Sequence, residues 1–447
     1  MKRILSIGLV ITTFLALNGC KNSGKGELIG SSRGSKYVEP TPSGMQFVRR
    51  GTLNIGPSDQ DPLSTNNMSK TVSVDAFWMD DTEITNAEYR QFVTWVKDSI
   101  ALSMTFDMSD DYKMLDEEDN PTDPPLIDWE RRDDLWEEED ENILSALEEI
   151  YIPENERFFK KKEIDARKLF FEYAWIDYQQ AAKSSNSYNY ETQSYDGQVF
   201  KDGVYSPIQD RSSFIMRDRT HVYPDTLVWI RDYTYAFNEP WTSMYFWHPG
   251  FDDYPVVGVT WKQAKAFCKW RTLVLNKSLR EEGDYEVQDY RLPTEVEWEY
   301  ASRGGLQLSM YPWGGYYTRD PQGTFMANFK PLRGNYVEDG GLGTLKVAEF
   351  DPNDFGLYDM AGNVAEWVND AYDESAYNFI SDMNPSFEYN ALPDDPPALK
   401  RKVTRGGSWK DISYFLQSGT RTYEYQDSAK SFIGFRCVRT SFGNEFK

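Results

Sequence analysis

Basic residues and histidine are scarce in this sequence. Its 447 residues contain 48 Lys and Arg against 72 Asp and Glu, which gives a net charge of −24, and only two histidines. Nucleic-acid binding depends on clustered Lys and Arg, so this composition argues against a nucleic-acid partner. It is compatible with a body that binds cations or basic partners. Hydrophobic residues still make up 40% of the chain, enough for one large or two ordinary domains with real cores.

Long apolar runs are absent after the first twenty residues. No later stretch approaches the roughly 20 apolar residues of a membrane-spanning helix. The single run lies within residues 4–17, after two basic residues, and leads to the sequence LNGC ending at Cys20. This pattern predicts a secretory signal peptide over residues 1–19. It resembles a bacterial lipoprotein signal, and an ordinary signal peptide with a chance cysteine is the alternative.

Cleavage before Cys20 would leave a thiol that carries acyl chains. Residues 20–44 begin with a polar stretch of Gly, Ser and Lys, which is expected to act as a flexible tether. Lys21 and Asn22 do not provide the acidic run of a surface-export signal. We therefore expect a lipoprotein that faces the periplasm and is held at the outer membrane through acyl chains on Cys20, each buried CH₂ contributing ~0.8 kcal/mol.

Cysteine is equally rare. After Cys20 only Cys268 and Cys437 remain. A single pair in an oxidising compartment most simply forms one disulfide. Two buried free thiols are the alternative.

Three helix starts stand out, because each has a Thr followed three residues later by Glu or Gln. These capping boxes begin at Thr85, Thr260 and Thr294, and apolar residues at helical spacing follow. Between the helices the chain offers short strand patterns and many loops rich in Gly and Trp. The sequence therefore predicts an α+β fold with much irregular structure.

Residues 98–249 look different from the rest of the chain and contain several acidic runs. Two groups of apolar residues within them fall at helical spacing: Ile143, Leu147 and Ile150, and Leu169, Tyr173 and Ile176. We therefore expect a largely helical insertion with an acidic surface. The acidic run 137–141 is most simply a solvated helix face, and a surface for a basic partner is the alternative.

Eight short motifs appear in the order and spacing of one known family. They are TEITNAEYRQF at 82–92, YPVVGVTWKQAKAFCKW at 254–270, RLPTEVEWEYASRGG at 291–305, YPWG at 311–314, MAN at 326–328, DFGLYDMAGNVAEWVND at 354–370, RGGSW at 405–409 and IGFRCVR at 433–439. Together they resemble the formylglycine-generating enzyme, or sulfatase-modifying factor, family, and we expect its domain over residues 45–97 and 250–447. The resemblance implies that family's compact α+β fold, which is related to C-type lectins and poor in regular structure.

The resemblance does not extend to the family's reactive groups. The family's enzyme oxidises a substrate cysteine to formylglycine with a copper-binding pair of cysteines, whose positions match Asp411 and Leu416 here. A carboxylate and an isobutyl group cannot replace thiolates as soft copper ligands and redox nucleophiles. The family's iron-dependent sulfoxide synthases need several histidines, whereas this chain has only His221 and His248, both in the insertion. We expect no copper or iron and no enzymatic activity.

The family's calcium sites are better matched than its copper site. One set comprises the side chains of Asp359 and Glu366 with the carbonyls of Gly362 and Val364, and the other comprises Asn328, Asp339 and the carbonyls of Phe329 and Gly341. All are hard oxygen ligands, as calcium prefers. We expect structural calcium at these loops. Loops held by hydrogen bonds without metal are the alternative, above all for the second set, whose loop is shorter than in the family.

The resemblance also pairs the two remaining cysteines. The family joins the cysteine of its AYCxW helix to that of its GFRC strand, which are Cys268 and Cys437 here. Such a bridge would close a loop of about 170 residues and stabilise the fold by roughly 4–5 kcal/mol in the chain-entropy model.

Several motif residues are candidates for lining a pocket. Trp409, Asp411, Arg421 and Arg436 could form a lectin-like pocket for a peptide or a peptidoglycan fragment. The simpler interpretation of the Trp and both Arg side chains is that they pack and hydrogen-bond to loop carbonyls.

Within the family, a lipoprotein signal, a domain without catalytic cysteines and a long acidic insertion resemble the gliding-motility lipoproteins of the type IX secretion system. This resemblance implies a non-catalytic role in a periplasmic ring, built by self-association and with a GldN/PorN-type partner. An enzyme with unrecognised chemistry is a further alternative.

Overall fold

The computed structural model describes residues 39–442, apart from 57–68, 107, 109–111, 116–120, 123–124, 138–139, 202, 236–238 and 332–334. The predicted signal peptide, Cys20 and most of the tether lie outside these residues. The α-helices are α1 (Asn86–Thr105), α2 (Glu141–Glu148), α3 (Tyr178–Ala181), α4 (Val228–Asp232), α5 (Pro240–Ser243), α6 (Trp261–Glu282) and α7 (Glu295–Ser302). Within the described part of the chain, no helix has the length and apolar character needed to cross a membrane.

Sixteen short strands account for the β-structure of the described residues. They are β1 (Met45–Val48), β2 (Gly51–Ile55), β3 (Lys70–Val74), β4 (Phe77–Asp80), β5 (Phe170–Ile176), β6 (Tyr188–Asn189), β7 (Ser194–Tyr195), β8 (Gln198–Lys201), β9 (Val204–Pro207), β10 (Ile215–His221), β11 (Tyr290–Arg291), β12 (Ala365–Ala371), β13 (Arg401–Arg405), β14 (Thr422–Tyr425), β15 (Ile433–Gly434) and β16 (Val438–Thr440).

Two four-stranded sheets form the framework. The first has the order β1-β4-β16-β11 with antiparallel neighbours. The second has the order β14-β13-β12-β15, in which only β12 and β15 run parallel. Strand β12 is buried along its whole length, so the motif residues that it carries belong to the core.

All three predicted helix starts are confirmed. Thr85, Thr260 and Thr294 are the N-caps of α1, α6 and α7. Each Thr side chain accepts the N–H three residues later, while the Glu or Gln at that position accepts the N–H of the cap. Helix α6 is capped at its C-terminus by Gly283, whose φ of 78° is the left-handed conformation that glycine adopts without strain. The capping chemistry therefore fixes the starts of the three helices of the family domain.

Aromatic side chains join α1 and α6 to the insertion. The ring of Phe92 in α1 lies 5.9 Å from that of Phe267 and 5.3 Å from that of Trp270, both in α6. Phe171 of β5 reaches the same cluster, 5.4 Å from Phe92. Residues Thr41–Ser441 form one compact unit. The insertion thus shares the main core of the molecule.

The insertion is not largely helical in its described residues, so that prediction is wrong. Tyr173 and Ile176 lie in β5, which pairs antiparallel with β10, and Leu169 directly precedes that strand. Along β5, Phe171 and Tyr173 are buried while Glu172 and Ala174 are exposed. This alternation has the period of two that a half-buried strand requires, and aromatic residues favour strands. The helical spacing of three of its apolar residues was coincidental.

The other group of predicted helical residues is placed as expected. Ile143 and Leu147 are buried in α2, and Ile150 is buried just beyond its end. They join a small cluster that includes Ala101 and Leu102 of α1. This part of the insertion therefore packs as an amphipathic helix against the last turns of α1.

Candidate functional site

The RGGSW loop begins at Arg405, the buried last residue of β13. Gly406 and Gly407 follow with φ of 91° and 68°, a region that residues with a Cβ rarely adopt. A Cβ on Gly407 would lie 2.8 Å from the carbonyl oxygen of Phe415 and 3.0 Å from the Leu416 side chain. The two glycines therefore let the loop fold back on the segment that carries Leu416.

The two positions of the family's copper cysteines hold unlike groups. The Asp411 carboxylate accepts a hydrogen bond from the Ser408 hydroxyl at 2.6 Å, and burial raises the pKa of Asp411. Leu416 is fully buried in an apolar cluster with Tyr311 and Phe325. An isobutyl group has no lone pair for a metal, and one hydrogen-bonded carboxylate does not replace a pair of soft thiolates. These residues do not fit the copper site.

Trp409 is partly covered by the last residues of the insertion. Its ring stacks on Trp229 of α4, with centroids 5.8 Å apart and planes at 19°, and on Tyr233, at 6.4 Å and 8°. Asp232 of the same helix binds the Lys410 ammonium group. Helix α4 and the residue after it therefore close over the loop that would border the oxidase site.

Arg421 belongs to a buried ion-pair network. Its Nε and Nη2 atoms lie 2.5 Å and 2.9 Å from the two carboxylate oxygens of Glu295, and Nη1 donates to the carbonyl of Asp373 at 2.9 Å. Arg405 lies 3.8 Å from the same carboxylate. Burial alone would raise the pKa of Glu295, but the two guanidinium groups hold it below its ordinary value. Arg421 is therefore engaged within the fold.

Arg436 is engaged in the same way by a different partner. Its Nη2 and Nε atoms lie 2.6 Å and 2.8 Å from the carboxylate oxygens of Glu366, and Nη2 also donates to the Tyr358 carbonyl at 2.8 Å. The remaining contact of Glu366 comes from the indole N–H of Trp298 at 2.8 Å. These contacts agree with the packing interpretation of Arg421 and Arg436, since each is committed to its own glutamate.

Three carboxylates crowd together at the first predicted calcium set. They are Asp359, Glu366 and Glu83, and sequence reasoning missed Glu83. Glu83 accepts the backbone N–H of Val364 at 3.0 Å. Burial, together with the charges of Asp359 and Glu366, raises the pKa of Glu83 well above its ordinary value. Burial raises the pKa of Asp359 to about 6, although the Ala348 N–H and then the Arg436 guanidinium group oppose this increase. Arg436 also opposes the increase at Glu83. The excess negative charge favours a cation beside Asp359, whereas Glu366 is already paired.

The second predicted calcium set is brought together by hydrogen bonds. The Asp339 carboxylate accepts the N–H of Phe329 at 2.9 Å and that of Gly341 at 3.3 Å. The Asn328 side chain donates to the Gly343 carbonyl at 2.9 Å. Burial raises the pKa of Asp339. These hydrogen bonds connect the loop without a metal ion, as expected if the second set binds no calcium.

The two sets touch each other. Asn363 N–H donates to the Asn328 carbonyl at 2.9 Å, and a Cβ on Gly362 would lie 2.3 Å from that same oxygen. In the described part of the chain, no group of three or more His, Cys, Asp or Glu side chains is arranged to hold a metal ion. A calcium ion at either set would therefore depend on backbone carbonyl oxygens as well as on side chains.

The two cysteines of the predicted disulfide are neighbours. Cys268 of α6 and Cys437, just before β16, are both buried, and their sulfur atoms lie 3.5 Å apart as free thiols. Burial raises the pKa of the Cys437 thiol well above its ordinary value. The structure thus brings the pair together, and the covalent bridge stays a prediction.

Comparison with known proteins identifies the domain. The model of the sulfatase-modifying factor enzyme 1-like domain matches residues 34–146 and 232–441, which is well over half of the chain. This chain belongs to that family. The unmatched residues 147–231 lie within the predicted insertion. Membership, together with the mixed helices and strands, confirms the expected formylglycine-generating-enzyme-like fold at the level of the family.

Both active and inactive members of the family resemble this chain. The formylglycine-generating enzyme of Bos taurus is 36% identical over 193 residues, covering 42% of this chain and 44% of that protein. The inactive C-alpha-formylglycine-generating enzyme 2 of Bos taurus is 35% identical over 192 residues, covering 42% and 50%. The chain spans about half the length of these curated relatives. Among solved structures, PvdO from Pseudomonas aeruginosa is similar with a TM-score of 0.44 and 16% identity, covering 92% of this chain and all of that one.

Proposed function

We propose that this member of the family is a non-catalytic lipoprotein of the type IX secretion and gliding-motility machinery. It corresponds to the gliding-motility lipoprotein GldK, whose counterpart in non-gliding species is PorK. In this role the chain is anchored to the outer membrane through acyl chains on Cys20 and faces the periplasm. It assembles into a ring with further copies of itself and with a GldN/PorN-type partner.

The observation that carries the non-catalytic part of the proposal is the packing of Leu416. A copper ligand must present a lone pair to a site that dioxygen and substrate can reach. Leu416 is instead fully buried in an apolar cluster, and α4 packs over the neighbouring Trp409. The lipoprotein signal and the acidic insertion support the assignment to the secretion machinery.

Structural calcium forms part of the proposal. Glu366 is paired with Arg436, whereas Asp359 and Glu83 accept hydrogen bonds from neutral amide groups. An ion held by Asp359 and nearby carbonyl oxygens would neutralise charge that burial makes costly. It would fix the loop between β12 and the MAN motif and would take no part in chemistry.

The ring is tested by the size and composition of native complexes. The tagged full-length protein is extracted from membranes with mild detergent, separated by size, and co-purifying chains are identified by mass spectrometry. We expect assemblies far larger than one chain, with one stoichiometric partner. The Cys20→Ser variant serves as the control, since it should leave the membrane fraction. A monodisperse monomer without a partner would contradict the proposal.

A second candidate function is suggested by Trp409, which keeps a partly exposed ring. The chain could bind a peptide or a peptidoglycan fragment at this ring. In that case the Trp409→Ala variant loses saturable binding of such fragments while the large assembly persists. The related lipoprotein GldJ is the alternative within the secretion machinery, and the identity of the co-purifying partner separates it from GldK.

A further inference from the structure

An open cavity lies where the β5–β10 pair of the insertion meets helix α6. It contains about 380 Å³ of empty space, part of it open to solvent. Its lining includes Asp218 and Thr220 from β10, Trp261, Lys262 and Lys265 from α6, and Asn390 from a loop. Strand β10 falls in residues 147–231, outside the match to the family, whereas the lining residues from α6 and Asn390 lie within that match.

Lys265 is the cation of this cavity that lacks a counter-ion. Its ammonium nitrogen lies 4.6 Å from the centre of the Trp261 ring and 5.5 Å from that of Trp175. Among the described residues, no carboxylate oxygen comes within ion-pair distance of it. The other charged lining groups have partners: Asp218 accepts the Trp175 N–H at 2.6 Å, Lys262 pairs with Asp427 at 2.8 Å, and Arg219 pairs with Glu172 at 3.3 Å.

The ammonium group of a second lysine, Lys402, also contacts the Trp261 ring. Lys402 is fully buried, lies 3.7 Å from the centre of the Trp261 ring, and donates to the Tyr389 carbonyl. Burial and then the charge of Lys265 lower the pKa of Lys402 to about 7. Burial likewise lowers the pKa of Lys265, although Glu388 and Asp218 oppose that effect. Two lysine side chains share one aromatic ring in a protein whose net charge is −24.

Lys265 is partly buried, and removing a charge from water without a close counter-ion is costly. We propose that this cavity binds a small molecule through an oxyanion group, a carboxylate or a phosphate, with Lys265 as its principal cation. Asn390 and Thr220 line the same space, and their amide and hydroxyl groups are further donors. Of this empty space, about 100 Å³ is accessible to a water-sized molecule, which is less than a drug-sized pocket provides, so the cavity suits a small oxyanion. This site is independent of the proposed ring function.

Calorimetric titration of the purified full-length chain tests the site. Inorganic phosphate and acetate are titrated separately at constant ionic strength. The anion that binds more tightly indicates whether the ligand carries a phosphate or a carboxylate group. We expect saturable binding of one equivalent. Lys265→Met should weaken it by about tenfold or more, because a charge-assisted hydrogen bond is lost. The matched control is Lys277→Met, which removes an ammonium group of the same helix near Trp129, 5.3 Å from the ring centre, and should bind as the wild type does.

Lysine acetylation of the wild-type protein gives a readout that does not depend on a variant. The bound anion should slow acetylation of Lys265 and leave Lys277 unaffected. The proposal is overturned if neither anion binds saturably, if Lys265→Met and the wild type bind equally, or if both variants weaken binding equally. Should Lys265→Met fail to fold, the acetylation pattern decides, and absence of protection at Lys265 rejects the site.

Discussion

Asp359 combines burial, unusual backbone geometry and charge in one residue. Its φ of 54° lies in the left-handed region, which Asp and Asn tolerate better than most residues. It is 8% exposed, and burial raises its pKa to about 6. An acid whose pKa is raised by folding stabilises the fold below its unfolded pKa, and this contribution is lost as the pH rises through the folded value. Asp359 should therefore destabilise the calcium-free protein at neutral pH.

The Asp359→Asn variant tests this electrostatic cost. Asn tolerates the same backbone conformation and cannot ionise. In calcium-free buffer, the variant should gain stability relative to the wild type as the pH rises from 4 to 7, by roughly 1–3 kcal/mol in the free energy of unfolding. Urea unfolding at several pH values measures it.

Two comparisons sharpen that measurement. Asp373→Asn is the control, and its stability should change in the opposite direction. Hydrogen bonds from Ser375 lower the pKa of Asp373, so the ionised carboxylate stabilises the fold and its loss should reduce stability at neutral pH. Excess calcium should stabilise the wild type at pH 7 and leave Asp359→Asn unchanged. If Asp359→Asn keeps the wild-type pH dependence, its carboxylate is not the source of the cost.

Single residues of the site could be predicted where a motif fixes the register. Asp411 and Leu416 follow directly from the RGGSW motif, and the structure supplies only their surroundings. Glu83 could not be found in this way. It meets Asn363 across 280 residues of sequence, so its role depends on how the chain folds. Glu83 lies in the family motif TEITNAEYRQF, two residues before Thr85, the N-cap of α1. That position in a motif is the sequence feature that could have pointed to it.

At the scale of elements, local chemistry predicted helices better than strands. The capping boxes at Thr85, Thr260 and Thr294 are local hydrogen-bond patterns, and all three begin helices. Strand β5 lacks such a marker. Its partner β10 begins 39 residues after β5 ends, and only that pairing makes the alternation of Phe171 and Tyr173 meaningful. The pattern of apolar residues alone was compatible with a helix.

Phe171 tests whether the insertion and the family domain share one core. Phe171→Ala removes a ring that contacts Phe92 and Trp95 of α1 at 5.4 Å and 5.9 Å. We expect it to lower the free energy of unfolding by about 3–5 kcal/mol, as for other buried Phe residues, in a single cooperative transition. Chemical denaturation followed by tryptophan fluorescence and by circular dichroism measures both quantities.

Phe159→Ala is the matched control in the same insertion, since Phe159 is 89% exposed and its removal should cost little. Two separate transitions, with Phe171→Ala affecting only one of them, would mean that the insertion folds on its own. That result would contradict a shared core.

At the scale of the whole molecule, this chain keeps the frame that its family motifs predict. The loop with Gly406 and Gly407, the Trp409 ring and the buried pair of Arg436 and Glu366 remain in place. The sequence predicted this frame, because its motifs lie in register along most of the family domain. It did not predict that α4 would close over Trp409, since that contact joins the end of the insertion to a loop some 180 residues later. Leu416 and the hydrogen-bonded Asp411 occupy the positions of the reactive thiols.

The most direct test of the proposed non-catalytic role is an oxidation assay on the purified protein. A peptide that contains a substrate cysteine is incubated with the protein, copper(I) and dioxygen, and formylglycine is detected by mass spectrometry and by an aldehyde-reactive probe. An active formylglycine-generating enzyme serves as the positive control. We predict no aldehyde above the sample without protein, with or without copper. Copper-dependent formation of formylglycine by this chain would contradict a non-catalytic role.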